Sequence, residues 1–318
     1  MGTNKKLISI ISPAYNEEKN IIPMISEVVG VMRSLSQKYD YEYFLIDDGS
    51  TDATWKTILA AAKKDKKIKG LSLSRNFGQQ LAITAGLDLV KGDAVIYCDS
   101  DLQHPPSLFP ELISLWEKGA RIVHTIRTDT ADKRISKKIF SRIFYFIANF
   151  LSDTPIKHGM ADFKLLDREV YKVIGQMREK NRFLRGMIPW LGFSSAVVEY
   201  KARKRIAGTP WYDLKRNIDF AKIGIMSLST KPLILIGYLG LALTILSFLA
   251  MFISFITMVV KSDFRYISPV LILIMFNTFL FGIVLSCLGV VALYISFLHQ
   301  EIINRPLYLI SKMINVSK

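Results

Sequence analysis

The sequence predicts an α/β domain on a mostly parallel sheet with both faces covered, followed by a membrane-anchoring region. Short apolar runs alternate with helical periodicity through the first two thirds of the 318 residues. Acidic motifs stand directly after two of the expected strands, where open parallel sheets bind their ligands. The last third carries two uncharged apolar segments, each longer than the roughly 20 residues that span a bilayer.

In chain order, Leu7 to Ile11 reads as a buried strand and Asn16 to about Gln37 as a helix. The junction Ser12-Pro13-Ala14-Tyr15-Asn16-Glu17-Glu18 admits two readings. Its aromatic and acidic groups suit a nucleobase and ribose; equally, Asn16 suits an N-cap with two glutamates complementing the helix dipole. Tyr43 to Ile46 is a second strand, and Asp47-Asp48-Gly49-Ser50-Thr51-Asp52 is a turn opening a helix over Ala53 to Lys64. Ile68 to Leu73 is a third strand and Gln79 to Leu89 a helix.

Ala94 to Cys98 is the fourth strand, running into Asp99-Ser100-Asp101-Leu102-Gln103 before Pro105-Pro106 breaks the chain. Carboxylates two apart on a strand point to one side. Two hard oxygen ligands suit Mg²⁺ or Mn²⁺ better than zinc, although such pairs are also common in solvated turns. Ile122 to Ile126 forms a further strand that ends at Arg127.

Composition narrows the partners. The chain is 50% hydrophobic with a mean hydropathy of +0.27, which fits a soluble part joined to a membrane part. Its net charge of +15 suits nucleic acid, anionic lipid or anionic substrates. No zinc-finger spacing or RNA-binding aromatic signature is present, and much of the charge flanks the apolar segments, so lipid is favoured and nucleic acid is not. Neither Gly-X-Gly-X-X-Gly after the first strand nor Gly-X4-Gly-Lys-Ser/Thr occurs, which excludes those two nucleotide fingerprints. Cys98 and Cys287 form no disulfide framework, and Leu7 to Ile11 is too short for a signal peptide. The amino-terminal part is therefore expected in the cytoplasm.

From Gly208 the pattern changes. Leu214, Ile218, Ala221, Ile225 and Leu228 recur at helical spacing beside Lys215, Arg216 and Lys222, as in a helix lying on anionic lipid. A helix packed on the preceding α/β domain gives the same pattern. Residues 233–260 and 267–298 are uncharged and joined by Lys261-Ser262-Asp263-Phe264-Arg265, so a transmembrane hairpin is expected. The basic residues before the first span and Arg305, Lys312 and Lys318 after the second put both ends in the cytoplasm, at the inner membrane. The expected divisions are a catalytic domain over 1–207, a juxtamembrane segment over 208–231, the hairpin over 232–298 and a tail over 299–318. Gly237 and Gly240, or Gly282 and Gly289, offer contacts through which a homo-oligomer would assemble.

The ordered motifs resemble those of a known family. They are Pro13-Ala14-Tyr15-Asn16-Glu17-Glu18, Asp47 to Asp52, Ser74-Arg75-Asn76-Phe77-Gly78 and Asp99 to Pro106, then Ala161 to Arg168, Arg182-Phe183-Leu184-Arg185-Gly186 and Arg205-Ile206-Ala207-Gly208. Together they resemble the inverting family 2 polyprenyl-phosphate glycosyltransferases, which include bactoprenol glucosyltransferases and dolichol-phosphate mannose synthases. The resemblance implies a type-A glycosyltransferase fold, a Rossmann-like mixed sheet, followed by amphipathic interface helices and a two-helix transmembrane hairpin. It implies that Pro13, Ala14, Tyr15 and Glu17 line a base and ribose pocket and that Asp47 and Asp48 read the base edge. Asp99, Asp101 and Gln103 would hold Mg²⁺ or Mn²⁺ against the diphosphate of a nucleotide sugar donor. Ser100 stands where the family often has Ala, and His104 is set aside as a structural hydrogen-bonder.

The implied acceptor, polyprenyl phosphate, is already largely anionic at neutral pH because its second pKa is about 6. It needs cations rather than a strong base. By resemblance these are Arg127 and Arg205, with Lys138 from the basic run Lys133, Arg134, Lys137 and Lys138. Asp162 either orients acceptor or sugar, or caps the following helix. The leading donor is UDP-glucose, with other sugars open. A processive polysaccharide synthase is disfavoured because no Gln-X-X-Arg-Trp occurs and the spans are few. A non-catalytic adaptor is disfavoured because Asp99 and Asp101 are both present.

Overall fold

A computed structural model describes residues 5–128, 160–180, 182–203, 269–303 and 305–316, with nine scattered positions between 236 and 256. The described residues fall into two compact units. The first is a sheet with its helices; the second contains a long helix and the scattered positions.

In the first unit, strands β1 (Lys6–Ala14), β2 (Tyr39–Asp47), β3 (Ile68–Leu73) and β4 (Ala94–Tyr97) alternate with helices α1 (Glu18–Ser34), α2 (Thr54–Lys64) and α3 (Gln79–Leu87). The strands read as nearly continuous apolar runs because both faces are covered. Helix α4 (Phe109–Glu117) joins α1 and α2 on one face, where Met24, Val28, Ile58, Phe109 and Trp116 meet Ile8, Ile10 and Leu45. Helices α3, α5 (Arg168–Gln176) and α6 (Leu184–Trp190) cover the other face, where Ile83, Val170 and Ile188 meet Ile11, Phe44 and Tyr97.

Strands β5 (Ile122–Arg127), β6 (Met160–Asp167), β7 (Ser195–Tyr200) and β8 (Ile310–Ile314) complete an eight-stranded sheet in the order β7-β5-β6-β4-β1-β2-β3-β8. The four N-terminal strands are mutually parallel, with Ala14 opposite Asp47 and Ile11 opposite Tyr97. Strand β6 runs antiparallel between β4 and β5, and β8 runs antiparallel to β3, so the sheet is mixed, as the family resemblance implies, around a parallel N-terminal half. The reversal of β6 brings its start to the same edge as the ends of β1, β2, β4 and β5. At its far end Asp167 caps α5, its Oδ1 accepting the N–H of Glu169 at 3.0 Å.

The segment expected as a tail contributes β8, which pairs antiparallel with β3 and covers what would be an open edge. Asn315, at φ +59, donates its amide to the carbonyls of Ala62 and Ile68 at 2.6 and 2.8 Å, tying this strand to the end of α2.

In the second unit, α7 (Pro269–Ile302) is 34 residues long. Its stretch Phe279–Ser296 has a mean hydropathy of 2.4 with none of it buried, and is long and apolar enough to cross a membrane. Among the described residues it is the one such helix. The nine described positions of the first expected span are helical, but the rest of that span lies outside the described residues, so the two-helix hairpin is not established. The juxtamembrane segment 208–231 also lies outside them.

Candidate active site

Three loops meet at the edge where β1, β2 and β4 end. Asp48 N–H donates to Ala14 O at 2.9 Å, and Ser100 Oγ donates to Pro13 O at 2.9 Å. The Pro13–Glu17 loop is thereby fastened to both acidic turns. Pro13 and Ala14 are buried, while Tyr15 and Glu17 are half-buried. Asn16 is not an N-cap: at φ +55 its Oδ1 accepts the N–H of Thr51 at 2.9 Å, and its own N–H donates to Ser50 Oγ. A short amide side chain tolerates this left-handed backbone and binds the neighbouring turn in return.

Asp47 and Asp48 are both buried and both hold loops in place. Asp47 accepts from Ser50 N–H at 3.0 Å and from Ser72 Oγ at 2.7 Å. Asp48 accepts the N–H groups of Phe77 and Gly78 at 2.8 and 2.9 Å, just before α3 begins. Burial pushes the Asp48 carboxyl up to about 6, with the charge of Asp47 adding to the shift and the two N–H donors opposing it. Directly after them Gly49, at φ +68, allows close approach to the Arg75 segment; a Cβ there would lie 2.3 Å from the backbone carbon of Arg75.

Strand β4 ends at Tyr97, so Asp99 and Asp101 lie in a turn rather than on the pleat of a strand. Leu102 adopts φ +62, an unfavourable conformation for a branched residue, and its side chain is buried in the core. That anchorage holds the strained turn, in which Asp101 Oδ1 accepts the N–H of Gln103 at 3.1 Å. His104 is buried, stacks on Phe163 with ring centroids 5.4 Å apart, and accepts the N–H of Asp99 on Nδ1 at 3.1 Å. Although Nδ1 lies 3.6 Å from Asp99 Oδ2, burial pushes this imidazole down to about 4. At neutral pH the ring is uncharged and positions the turn by hydrogen bonding.

The donor set suits a hard divalent cation: two carboxylates and the amide oxygen of Gln103. Among the described residues no three His, Cys, Asp or Glu side chains gather into an all-protein cage. Mg²⁺ is commonly held by one or two carboxylates together with substrate phosphates, so Asp99 and Asp101 beside a diphosphate fit that pattern.

Arg127, at the end of β5, donates from Nη1 to Gln103 Oε1 at 3.4 Å. The backbone of Arg203 donates to Gln103 O, also at 3.4 Å, and its side chain pairs with Glu27 at 2.8 Å. Arg205 and Lys138 lie outside the described residues. Asp162, near the start of β6, is 3% exposed and does not cap a helix. Its Oδ1 accepts from Arg185 Nε at 2.9 Å and its Oδ2 from Arg185 Nη2 at 2.8 Å. Burial pushes the Asp162 carboxyl up, but the charge and hydrogen bonds of Arg185, with Lys164 assisting, carry it below the ordinary range.

Sequence reasoning gave no role to Arg185, Gln79 or Gln80. Gln79 Nε2 donates to Asp99 Oδ1. Gln80 donates to Asp162 Oδ2 at 3.3 Å and accepts Leu184 N–H at 3.1 Å. The first turn of α3 thus joins the two carboxylate centres. A signal for Arg185 was available, since it stands in the apolar stretch Phe183 to Ile188, where an arginine requires an acid. Two glutamines opening a helix carry no comparable signal.

The family model described as "Glycosyl transferase family 2" matches residues 9–175. The chain is 38% identical over 307 residues to the SfII prophage-derived bactoprenol glucosyl transferase of Shigella flexneri, covering 96% of this chain and 97% of that one. It is 36% identical over 306 residues to the uncharacterized glycosyltransferase YkcC of Bacillus subtilis, covering 96% and 93%. Among solved structures it is similar to glucosyl-3-phosphoglycerate synthase from Mycobacterium tuberculosis in complex with Mn²⁺, UDP and phosphoglyceric acid. There the TM-score is 0.47 and the identity 20%, over 70% of this chain and 76% of that one.

Proposed function

This chain belongs to glycosyl transferase family 2 and is a glycosyltransferase, and on that premise we propose that it transfers a sugar from a nucleotide diphosphate to polyprenyl phosphate with inversion at the anomeric carbon. The observation that carries the reading is the meeting, at one sheet edge, of the Asp47–Asp48 turn, the Asp99–Asp101 turn and the Asp162–Arg185 pair. Glucose from UDP-glucose is the proposed donor group, supported by full-length similarity to proteins named bactoprenol glucosyl transferase.

In this reading Pro13, Ala14, Tyr15 and Glu17 enclose the base and ribose, and Asp47 and Asp48 use their remaining lone pairs on the base edge. Asp99, Asp101 and Gln103 would hold Mg²⁺ or Mn²⁺, which when bound supplies positive charge to the departing diphosphate. Asp162 keeps its charge and both oxygens are engaged by Arg185, which makes it a poor proton acceptor. The acceptor phosphate needs none, because its oxygen is already anionic. Asp162 instead orients Arg185, and Arg127, Arg205 and Lys138 supply cations for the acceptor phosphate. Helix α7 would anchor the enzyme in the inner membrane, with the catalytic unit on the cytoplasmic side and basic residues against anionic lipid. Self-association through the hairpin belongs to the same proposal.

The test incubates the purified full chain with undecaprenyl phosphate, Mg²⁺ or Mn²⁺ and radiolabelled UDP-glucose, then counts sugar extracted with lipid. A lipid-linked product in the inverted configuration is expected. Absence of any lipid-linked sugar across a broad panel of nucleotide sugars would falsify the reading.

A further inference from the structure

Lys164 lies in the middle of β6, is wholly shielded from solvent, and has no hydrogen-bond partner for its ammonium. An enclosed ammonium is strongly unfavourable unless opposite charge stands nearby. Strand alternation puts Lys164 on the same side of β6 as Asp162, two residues away. Tyr97 of β4 and His124 of β5 stand directly opposite Lys164 in register. Tyr97 OH is likewise buried without a partner. A polar row therefore crosses three strands just inward of the Asp162–Arg185 pair, in a face otherwise filled by Val95, Ile122 and Leu166.

We propose that Lys164 is a positioning residue for sugar transfer, its buried ammonium holding the Asp162 carboxylate from within the sheet while Arg185 holds it from α6. The inference rests on the transfer reading above. Asp162, Arg185 and Lys164 together carry one net positive charge beside the turn of Asp99 and Asp101, where an anionic donor and an anionic acceptor meet. A carboxylate held by two cations stays ionised and keeps the Arg185 fork aligned. For stability alone a methionine of similar length would serve the fold as well or better.

A pH dependence follows. Burial pushes the Lys164 ammonium down to about 8, with Asp162 opposing and Arg185 adding. The groups facing it are Asp162 on its own strand, Tyr97 on β4, His124 on β5 and Arg185 on α6, while α3 brings Gln80, which is uncharged. Burial pushes Tyr97 well above its ordinary value, and an arginine does not deprotonate in this range. Lys164 is charged below about 8 and neutral above it, so kcat should fall as pH rises through that value.

The experiment compares full-length wild type and Lys164→Met in nanodiscs, with undecaprenyl phosphate and UDP-glucose, measuring kcat, donor KM and thermal melting from about pH 6 to 10. The variant should lose about tenfold or more in kcat with little change in KM, and its residual activity should lack the alkaline fall. It should melt no lower than wild type near neutral pH, and the gap should narrow in alkali as the wild-type ammonium discharges. Wild-type kcat in Lys164→Met, an unchanged alkaline fall, or a large drop in melting temperature alongside lost activity would each overturn the proposal. No product from the wild type itself instead refutes the transfer reading, so the two failures are distinguishable.

Discussion

Arg185 grips Asp162 with a two-point fork, Nε to Oδ1 at 2.9 Å and Nη2 to Oδ2 at 2.8 Å, and so joins α6 to β6 at the edge where the acidic turns meet. A lysine keeps the charge but makes only a point contact. Arg185→Lys is therefore expected to fold, to lose about 1–2 kcal/mol of stability, and to lose about tenfold or more in kcat. Urea unfolding alongside steady-state kinetics checks this, and unchanged kcat would remove the fork from the mechanism.

Asp101 serves two purposes that a single substitution separates. An asparagine retains an oxygen for the 3.1 Å bond from Gln103 N–H but lacks the negative charge proposed to hold the metal. Asp101→Asn should give a normal circular dichroism spectrum and lose metal-dependent binding of UDP, with kcat/KM down about a hundredfold or more. Calorimetric titration of UDP with and without Mn²⁺ reads the binding; equal metal dependence in variant and wild type would refute the assignment.

Asp48 should make donor binding sensitive to acid. Its folded pKa of about 6 lies above the ordinary 3.8, so its ionisation opposes folding. Stability contributed at this group falls as pH rises from about 4 to 6, and the cost is fully present above 6. Donor binding runs the other way, because only the ionised form offers all its lone pairs. Donor KM should rise as pH drops below about 6, and Asp48→Asn should flatten that rise. A wild-type KM that is level from pH 5 to 8 would count against a base-reading role for Asp48.

The contact that fastens the chain just before β8 should contribute measurable stability. Tyr308 OH donates to Asp88 Oδ2 at 2.7 Å, and Arg178 Nη1 reaches the same oxygen at 2.8 Å. Tyr308→Phe should cost about 1 kcal/mol, and combined with Arg178→Met the two losses should be non-additive because they share Asp88. Thermal or urea unfolding of the two single variants and the double variant gives the coupling; strict additivity would exclude a shared network.

Much of the fold was legible because the strands are short and buried on both faces. Ile68–Leu73 was readable to the residue, and β1, β2, β4 and β5 to within a few, since a covered sheet demands uninterrupted apolar runs. β8 was not legible: Ile310 to Ile314 alternates weakly, and its pairing with β3 spans more than two hundred residues of sequence. Nor was the antiparallel run of β6, because direction depends on the path between strands rather than on the composition of either.

By itself the sequence determined that acids stand after strands two and four, that the chain has an apolar C-terminal third, and that ordered motifs resemble one glycosyltransferase family. Only the tertiary structure decided how those acids are used. Asp47 and Asp48 brace loops, Asp99 and Asp101 share a strained turn held by buried Leu102 and His104, and Asp162 is committed to Arg185. Residue type states what a carboxylate can accept, whereas burial and the donors brought to it from distant segments set its charge and its partners.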